Sequence, residues 1–286
     1  MKNIIRYFCI TVFLLYFFWL IRSAILGQLT GIFVSRPVPR DYTDLNNYLI
    51  SQHVFYRTLW IPTIQRFAYY SSDHPAIDGY TFFQAYDPIS EVRKLQLSNS
   101  ENALRNASVK YVIVPVDTEG ELFLQNRKYS SALYSKTKNA VSTISYLVPV
   151  QRFGSLGVFE VKNYHNHFWS TNKKLLVSFT QFNPTKYTVS LTNAHVGDRI
   201  IFSEAFDQNW IANIGNTSIS PIKYQGLYNE YVLPKGGNFH FTVVYKIQQW
   251  VQIGQVVSMS TVFVLLLFYL YILRFKIGTF IRYIRK

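Results

Sequence analysis

Cysteine is nearly absent from this sequence, with Cys9 the only one. A chain with one cysteine closes no internal disulfide and builds no thiolate metal site. Small secreted eukaryotic domains usually carry cystines, so the scarcity fits a bacterial envelope protein. Acid is missing from both ends. All fifteen Asp and Glu lie between Asp41 and Glu230, whereas Lys2, Arg6 and Arg22 mark the front and Arg274, Lys276, Arg282, Arg285 and Lys286 the back. Residues 36–246 hold 21 Lys and Arg against those 15 acids, a net charge of +6 out of +14 for the whole chain. Basic ends beside apolar runs indicate membrane topology, because Lys and Arg stay on the cytoplasmic side of a span. The basic residues between them are scattered, which removes the support for a nucleic-acid partner. Nucleophile and nucleotide signatures are missing too: there is no G-x-S-x-G, no P-loop and no G-x-G-x-x-G, and no cofactor is implied.

What is present begins with two apolar stretches. IQQWVQIGQVVSMSTVFVLLLFYLYIL, residues 247–273, contains no charge. At about 1.5 Å per residue it is long enough to cross about 30 Å of hydrocarbon. The following RFKIGTFIRYIRK, basic and acid-free, reads as a cytoplasmic tail. At the front, YFCITVFLLYFFWLI runs only fifteen residues before Arg22, and SAILGQLTGIFV continues it to Val34 with a poor signal-cleavage site. The expectation is an uncleaved anchor, with Arg22 snorkelling or paired near its end. Both termini are then cytoplasmic at the plasma membrane, and residues 36–246 face outward.

The outer region divides by period. Asp41 or Thr43 is expected to cap a helix carrying Leu45, Tyr48 and Leu49 on one side. VFYRTLWIP, 54–62, reads as a strand that Pro62 ends. Ser98 and Glu101 match a capping box for a helix through Asn106. VKYVIVPVD follows, apolar on both faces, as the centre of a sheet. KYSSALYSKTKNA supplies a helix, and ISYLVPVQ with LGVFEVK a hairpin across FGS. After residue 165 the period becomes two: KYTVSLT sets Tyr187, Val189 and Leu191 on one face, and NFHFTVVYK sets Phe239, Phe241, Val243 and Tyr245 together. Turn signals between such runs indicate a β-sandwich of six or so strands. The expected class is α+β: a membrane anchor at 1–35, an outer α/β domain at 36–165, a jelly-roll-like β-sandwich at 166–246, a transmembrane helix at 247–274 and a basic tail at 275–286.

Lys110 to Val114 (K-Y-V-I-V), Phe153 to Glu160 (F-G-S-L-G-V-F-E) and Ser203 to Trp210 (S-E-A-F-D-Q-N-W), with Leu233-Pro-x-Gly236 before the last strand and span, resemble the carboxy-terminal third of bacterial multi-pass proteins of the YfhO-like and GT-C glycosyltransferase kind. The resemblance covers most of residues 40–274 and its motifs are apolar and structural. It implies a module of envelope glycan assembly that contacts membrane lipid and either a multi-pass membrane protein or envelope glycan. GT-C enzymes carry their catalytic acid on an outer loop of a many-helix bundle, and no position here matches it. The resemblance therefore implies no activity for this chain alone.

Candidate sites follow from residue type. Asp73, His74 and Asp78 in SSDHPAIDGY could hold a metal or act as a carboxylate pair, and Asp73, Asp78 or Asp87 are the carboxylates a membrane-tethered glycosidase or transferase would use; ordinary turn chemistry is the alternative. His165 and His167, spaced i, i+2, lack a third ligand, so no metal is expected. Glu204 and Trp210 are the ligand-binding candidates, since indole stacks on a pyranose as readily as it fills a core. Arg22, Gln252 and Gln255 are the candidate contacts to a partner within the membrane. A surface structural or adhesion protein is the third class left open.

Overall fold

The computed structural model describes residues 2–26, 38–65, 67–85, 87–116, 130–150 and 153–284. Residues 27–34 of the expected apolar continuation and the last two residues of the tail lie outside these. The chain divides into two compact units, Met1–His165 and Asn166–Lys286.

The first unit opens with α1 (Lys2–Ile25) and α2 (Arg40–Ile50), followed by β1 (Arg57–Trp60), β2 (Ala76–Asp78), α3 (Gly79–Phe83), α4 (Pro88–Leu95), α5 (Ser100–Asn106), β3 (Val109–Val114), α6 (Ser131–Ser142), β4 (Leu147–Pro149) and β5 (Gly157–Val161). The five strands form one sheet in the order β2-β1-β3-β5-β4. β1 runs parallel to both β2 and β3, while β5 is antiparallel to β3 and β4. β3 occupies the middle, as its unbroken apolar run requires. Alternation along the strands sends Trp60, Tyr111, Ile113 and Val158 into a cluster with Tyr42, Leu45 and Leu49 of α2. Neighbouring positions Leu59, Val112 and Phe159 are equally buried, and α5 and α6 lie against β3.

Two caps differ from expectation. Pro39 precedes α2, and neither Asp41 nor Thr43 caps it. The Asp41 carboxylate instead accepts the Ser155 N–H at 2.8 Å and the Ser155 hydroxyl, which hold it below the usual carboxylate range. A β-carbon at Gly154, whose φ is +54°, would stand 2.5 Å from Asp41 Oδ1, so the close approach itself favours glycine. α5 begins at Ser100 after Asn99, not at Ser98, and Glu101 pairs with Arg105 at 2.6 Å instead of closing a capping box.

The second unit is β throughout until its last helix: β6 (Phe168–Ser170), β7 (Leu176–Asn183), β8 (Lys186–Ala194), β9 (Arg199–Ala205), β10 (Trp210–Ile214), β11 (Thr217–Ile219), β12 (Ile222–Tyr224), β13 (Tyr228–Val232), β14 (Gly237–Tyr245) and α7 (Gln248–Ile284). Sheets of order β11-β10-β14-β8-β7 and β12-β13-β9-β6 enclose one core. Tyr187, Val189, Leu191, Phe241 and Val243 from the first meet Phe168, Ile200, Phe202 and Tyr231 from the second. The β13–β9 ladder slips between Tyr228 and Asn229. There the fully buried Asn229 amide donates to the carbonyls of Glu204 and Ala205, satisfying groups the bulge frees.

Within α7, the most apolar 18 residues of Gln248–Ile272 have mean hydropathy 2.0 and none is buried. Among the described residues it is the one helix long and apolar enough to cross a membrane. The apolar part of α1, Ile10–Arg22, is shorter.

Candidate functional site

The carboxyl ends of parallel strands are where open α/β sheets gather ligands. Here the segment after β1 and the end of β2 are tied by Asp78, whose Oδ1 accepts the Ile64 N–H at 2.6 Å and the Thr63 hydroxyl at 2.7 Å. Asp87 precedes Pro88 and caps α4 by accepting the Ser90 N–H at 2.9 Å. The Ser90 hydroxyl and N–H hold the Asp87 carboxyl below its usual range. One turn further on, Glu91 is fully buried, and neither carboxyl oxygen has a hydrogen-bond partner among the described residues. Burial, and then the Asp87 and Asp78 charges, push Glu91 up to about 9. It is protonated at neutral pH. Asp73 is exposed elsewhere, with the Ser72 hydroxyl 3.4 Å away and its charge acting on His74. The structure thus brings Asp78 and Asp87 to Glu91 and leaves Asp73 apart. Among the described residues no three His, Cys, Asp or Glu side chains are placed to hold a metal ion.

A second polar cluster surrounds Lys110. Its ammonium lies 5.2 Å from the ring centres of Tyr56 and Tyr111 and 5.4 Å from that of Tyr164, and it donates to Gln52 Oε1. Gln52 Nε2 also donates to the Tyr111 hydroxyl at 2.9 Å, which lies 2.9 Å from the Tyr48 hydroxyl. Burial lowers the Lys110 ammonium pKa, while the Glu160 charge opposes that shift. Three ring faces replace part of the water the ammonium loses.

Ligand-sized space lies between α6 and the β4–β5 hairpin. A cleft of about 540 Å³ is lined by Lys138, Asn139 and Ser142 on one side and by Pro149, Phe153 and Phe159 among its apolar residues. Among the described residues its lining contains no acid. Lys138 also stands 5.4 Å from the Tyr134 ring centre.

The sandwich candidates are engaged. Trp210 is 8% exposed, edge-on to Phe202 at 5.0 Å and tilted against Tyr245 at 5.0 Å and Tyr187 at 6.0 Å. Its ring fills the core. Glu204 is half-buried with Oε1 3.6 Å from His167 Nε2, an ion pair only when that histidine is protonated. His167 is enclosed by Phe168, Phe179, Tyr187 and Phe202, and its Nδ1 lies 2.8 Å from Ser203 Oγ. Asp207 closes the turn before Trp210, accepting from the Asn209 N–H and the Tyr245 hydroxyl. In the apolar helices, the Arg22 guanidinium sits 5.1 Å from the Trp19 ring centre, and Gln252 and Gln255 are exposed.

Sequence reasoning missed Glu91 and Lys110. Lys110 had a legible signal as the one charge inside V-K-Y-V-I-V. Glu91 had none, since nothing local distinguishes it from a solvated helix residue. Compared with family models, with curated proteins and with solved structures, the chain matches none.

Proposed function

We propose that this chain is a membrane-tethered extracytoplasmic module of envelope glycan assembly that binds glycan or a multi-pass partner and leaves the transfer chemistry to another protein. In this reading α7 crosses the bilayer, α1 is a second, uncleaved anchor, and both termini are cytoplasmic. One observation carries it: Asp78 and Asp87 are occupied by backbone and hydroxyl donors, while the cleft beside α6 has no acid among the described residues that line it. Aromatic and aliphatic walls facing an ammonium and an amide suit a glycan that is held without being cleaved. The test is binding of isolated envelope glycan to the full chain in detergent, with Lys138→Ala and Asn139→Ala variants expected to weaken it. Undiminished binding by both variants argues against the cleft.

The rival reading is a membrane-tethered glycosidase or transferase, and Glu91 is what favours it. A protonated carboxyl beside Asp78 and Asp87 has the ionisation of a general acid. Its complete burial stands against that role. Glycan turnover measured for Asp73→Ala, Asp78→Ala, Asp87→Ala and Glu91→Gln decides between the two. Loss of turnover in a stably folded variant would overturn the non-catalytic reading.

A further inference from the structure

One end of the β-sandwich is defined by the junction of β14 with α7. Only Lys246 and Ile247 separate Tyr245 from the first residue of the apolar helix. That junction is hydrogen-bonded on both sides: the Lys246 N–H donates to the Asn209 carbonyl at 2.9 Å, and the Trp250 N–H to the Ile247 carbonyl at 3.0 Å. Three turns share this end. The β7–β8 turn is tied to it by the Tyr245 N–H donating to the Thr185 carbonyl at 2.9 Å. The β9–β10 turn is tied by the Tyr245 hydroxyl on Asp207 at 2.7 Å. The β12–β13 turn follows through the Phe206 N–H donating to the Leu227 carbonyl at 2.7 Å.

The same end exposes what a soluble domain would hide. Phe182, next to the β7–β8 turn, is 76% exposed, although Ser178 and Thr180 on the same outward row are polar. Leu227, in the β12–β13 turn, is 61% exposed. Lys186, Lys223 and Lys246 lie at this end, all exposed; Lys186 is 5.3 Å from the Phe182 ring centre and Lys223 5.1 Å from that of Phe206. Of the nearby acids, Asp207 is taken by Asn209 and Tyr245, and Glu204 faces His167. The exposed charge is therefore mostly cationic.

Helix length sets how far this end stands from the bilayer. The 25 residues Gln248–Ile272 exceed the roughly 20 that cross the hydrocarbon, so about five at the polar start, Trp250 among them, belong to the headgroup layer. Two further residues reach the sandwich, at no more than about 3.5 Å each. Phe182, Leu227 and the three lysines then meet lipid headgroups.

We propose that this end of the sandwich is a membrane-docking surface: Phe182 and Leu227 insert among the headgroups of the bilayer that α7 crosses, and Lys186, Lys223 and Lys246 contact anionic lipid. The proposal rests on the spanning reading of α7. It adds that the sandwich does not tumble freely above its anchor.

The test uses the full chain in bilayer nanodiscs containing anionic lipid, with Cys9→Ser and single nitroxide labels placed through Phe182→Cys, Leu227→Cys, Val196→Cys or Phe263→Cys. Collision rates with oxygen and with a water-soluble nickel chelate report depth. Labels at 182 and 227 are expected to show an oxygen-to-nickel ratio several-fold above that at 196, which lies in the turn between β8 and β9. Combined Lys186→Glu and Lys223→Glu, or exchange of the anionic lipid for a zwitterionic one, should lower it. Labels at 182 and 227 as aqueous as 196, with 263 in hydrocarbon, would refute docking alone. An aqueous label at 263 refutes the spanning reading, and docking with it. Labels at 182 and 227 shielded from both reagents would assign the surface to a protein, and the proposal would fail.

Discussion

The Glu91 carboxyl stands where a side chain at residue 79 would have to go. A β-carbon built on Gly79 lies 1.9 Å from Glu91 Oε2 and 3.0 Å from the Trp60 carbonyl oxygen. Gly79→Ala should therefore destabilise the first unit by about 1–3 kcal/mol through overpacking, read from denaturant unfolding of the full chain in detergent. Adding Glu91→Ala should recover part of that loss. Strict additivity of the two changes would show that the contact is not what excludes alanine.

Glu91 also predicts a pH dependence. Its folded-state pKa is pushed up to about 9 from 4.5, so between those values the folded chain holds a proton that the unfolded chain has released. Stability from this group is thus fully present below about pH 4.5 and lost as pH rises toward 9, with a slope of up to about 1.4 kcal/mol per pH unit. Glu91→Gln, which stays neutral, should flatten unfolding midpoints measured from pH 5 to 9. An unchanged slope would mean that Glu91 is ionised in the fold.

Trp210→Ala should cost about 3–5 kcal/mol, as for other fully packed large aromatics, while Trp210→Phe should cost less. Thermal unfolding of the sandwich, followed by near-ultraviolet dichroism, gives the comparison. A cost below 1 kcal/mol for the alanine variant would place the ring outside the core.

Two of the loop carboxylates, Asp87 and Asp73, should separate in stability. Asp87→Ala removes an N-cap and is expected to cost about 1 kcal/mol, whereas Asp87→Asn keeps the acceptor and should be nearly neutral. Exposed Asp73→Ala should fall within about 0.5 kcal/mol of the parent. Urea midpoints of the three variants measured together test the ordering.

How far these features were legible depends on how local their causes are. The middle strand β3 was readable because V-K-Y-V-I-V carries its burial in its own composition. β8 and β14 were readable because Tyr187, Val189 and Leu191, then Phe241 and Val243, alternate at the strand period. β2 and β6, three residues each, are too short to show a period, and their pairing is supplied by β1 and β9. Asp41 looked like a helix cap because local rules favour it there; Ser155, 114 residues away, takes its carboxylate instead. The Gly79–Glu91 contact was hidden for a related reason: burying an unpaired carboxyl runs against the usual place of Glu. Only the close approach of two elements brings it about.

The Asp41–Ser155 contact also bears on the order in which the first unit is made. α2 packs through Tyr42, Leu45 and Leu49 against Phe153, Leu156 and Val158, and its carboxylate is anchored at Ser155. At about 5–20 residues per second of synthesis, the helix waits several seconds or more for these partners. An 11-residue helix is marginal on its own, and during that interval Tyr42, Leu45 and Leu49 have only the earlier-made members of their cluster, such as Tyr56, Trp60 and Tyr111, to pack against. A ribosome stalled before residues 153–161 have emerged from it would leave this segment more open to proteases and chaperones than it is in the finished chain.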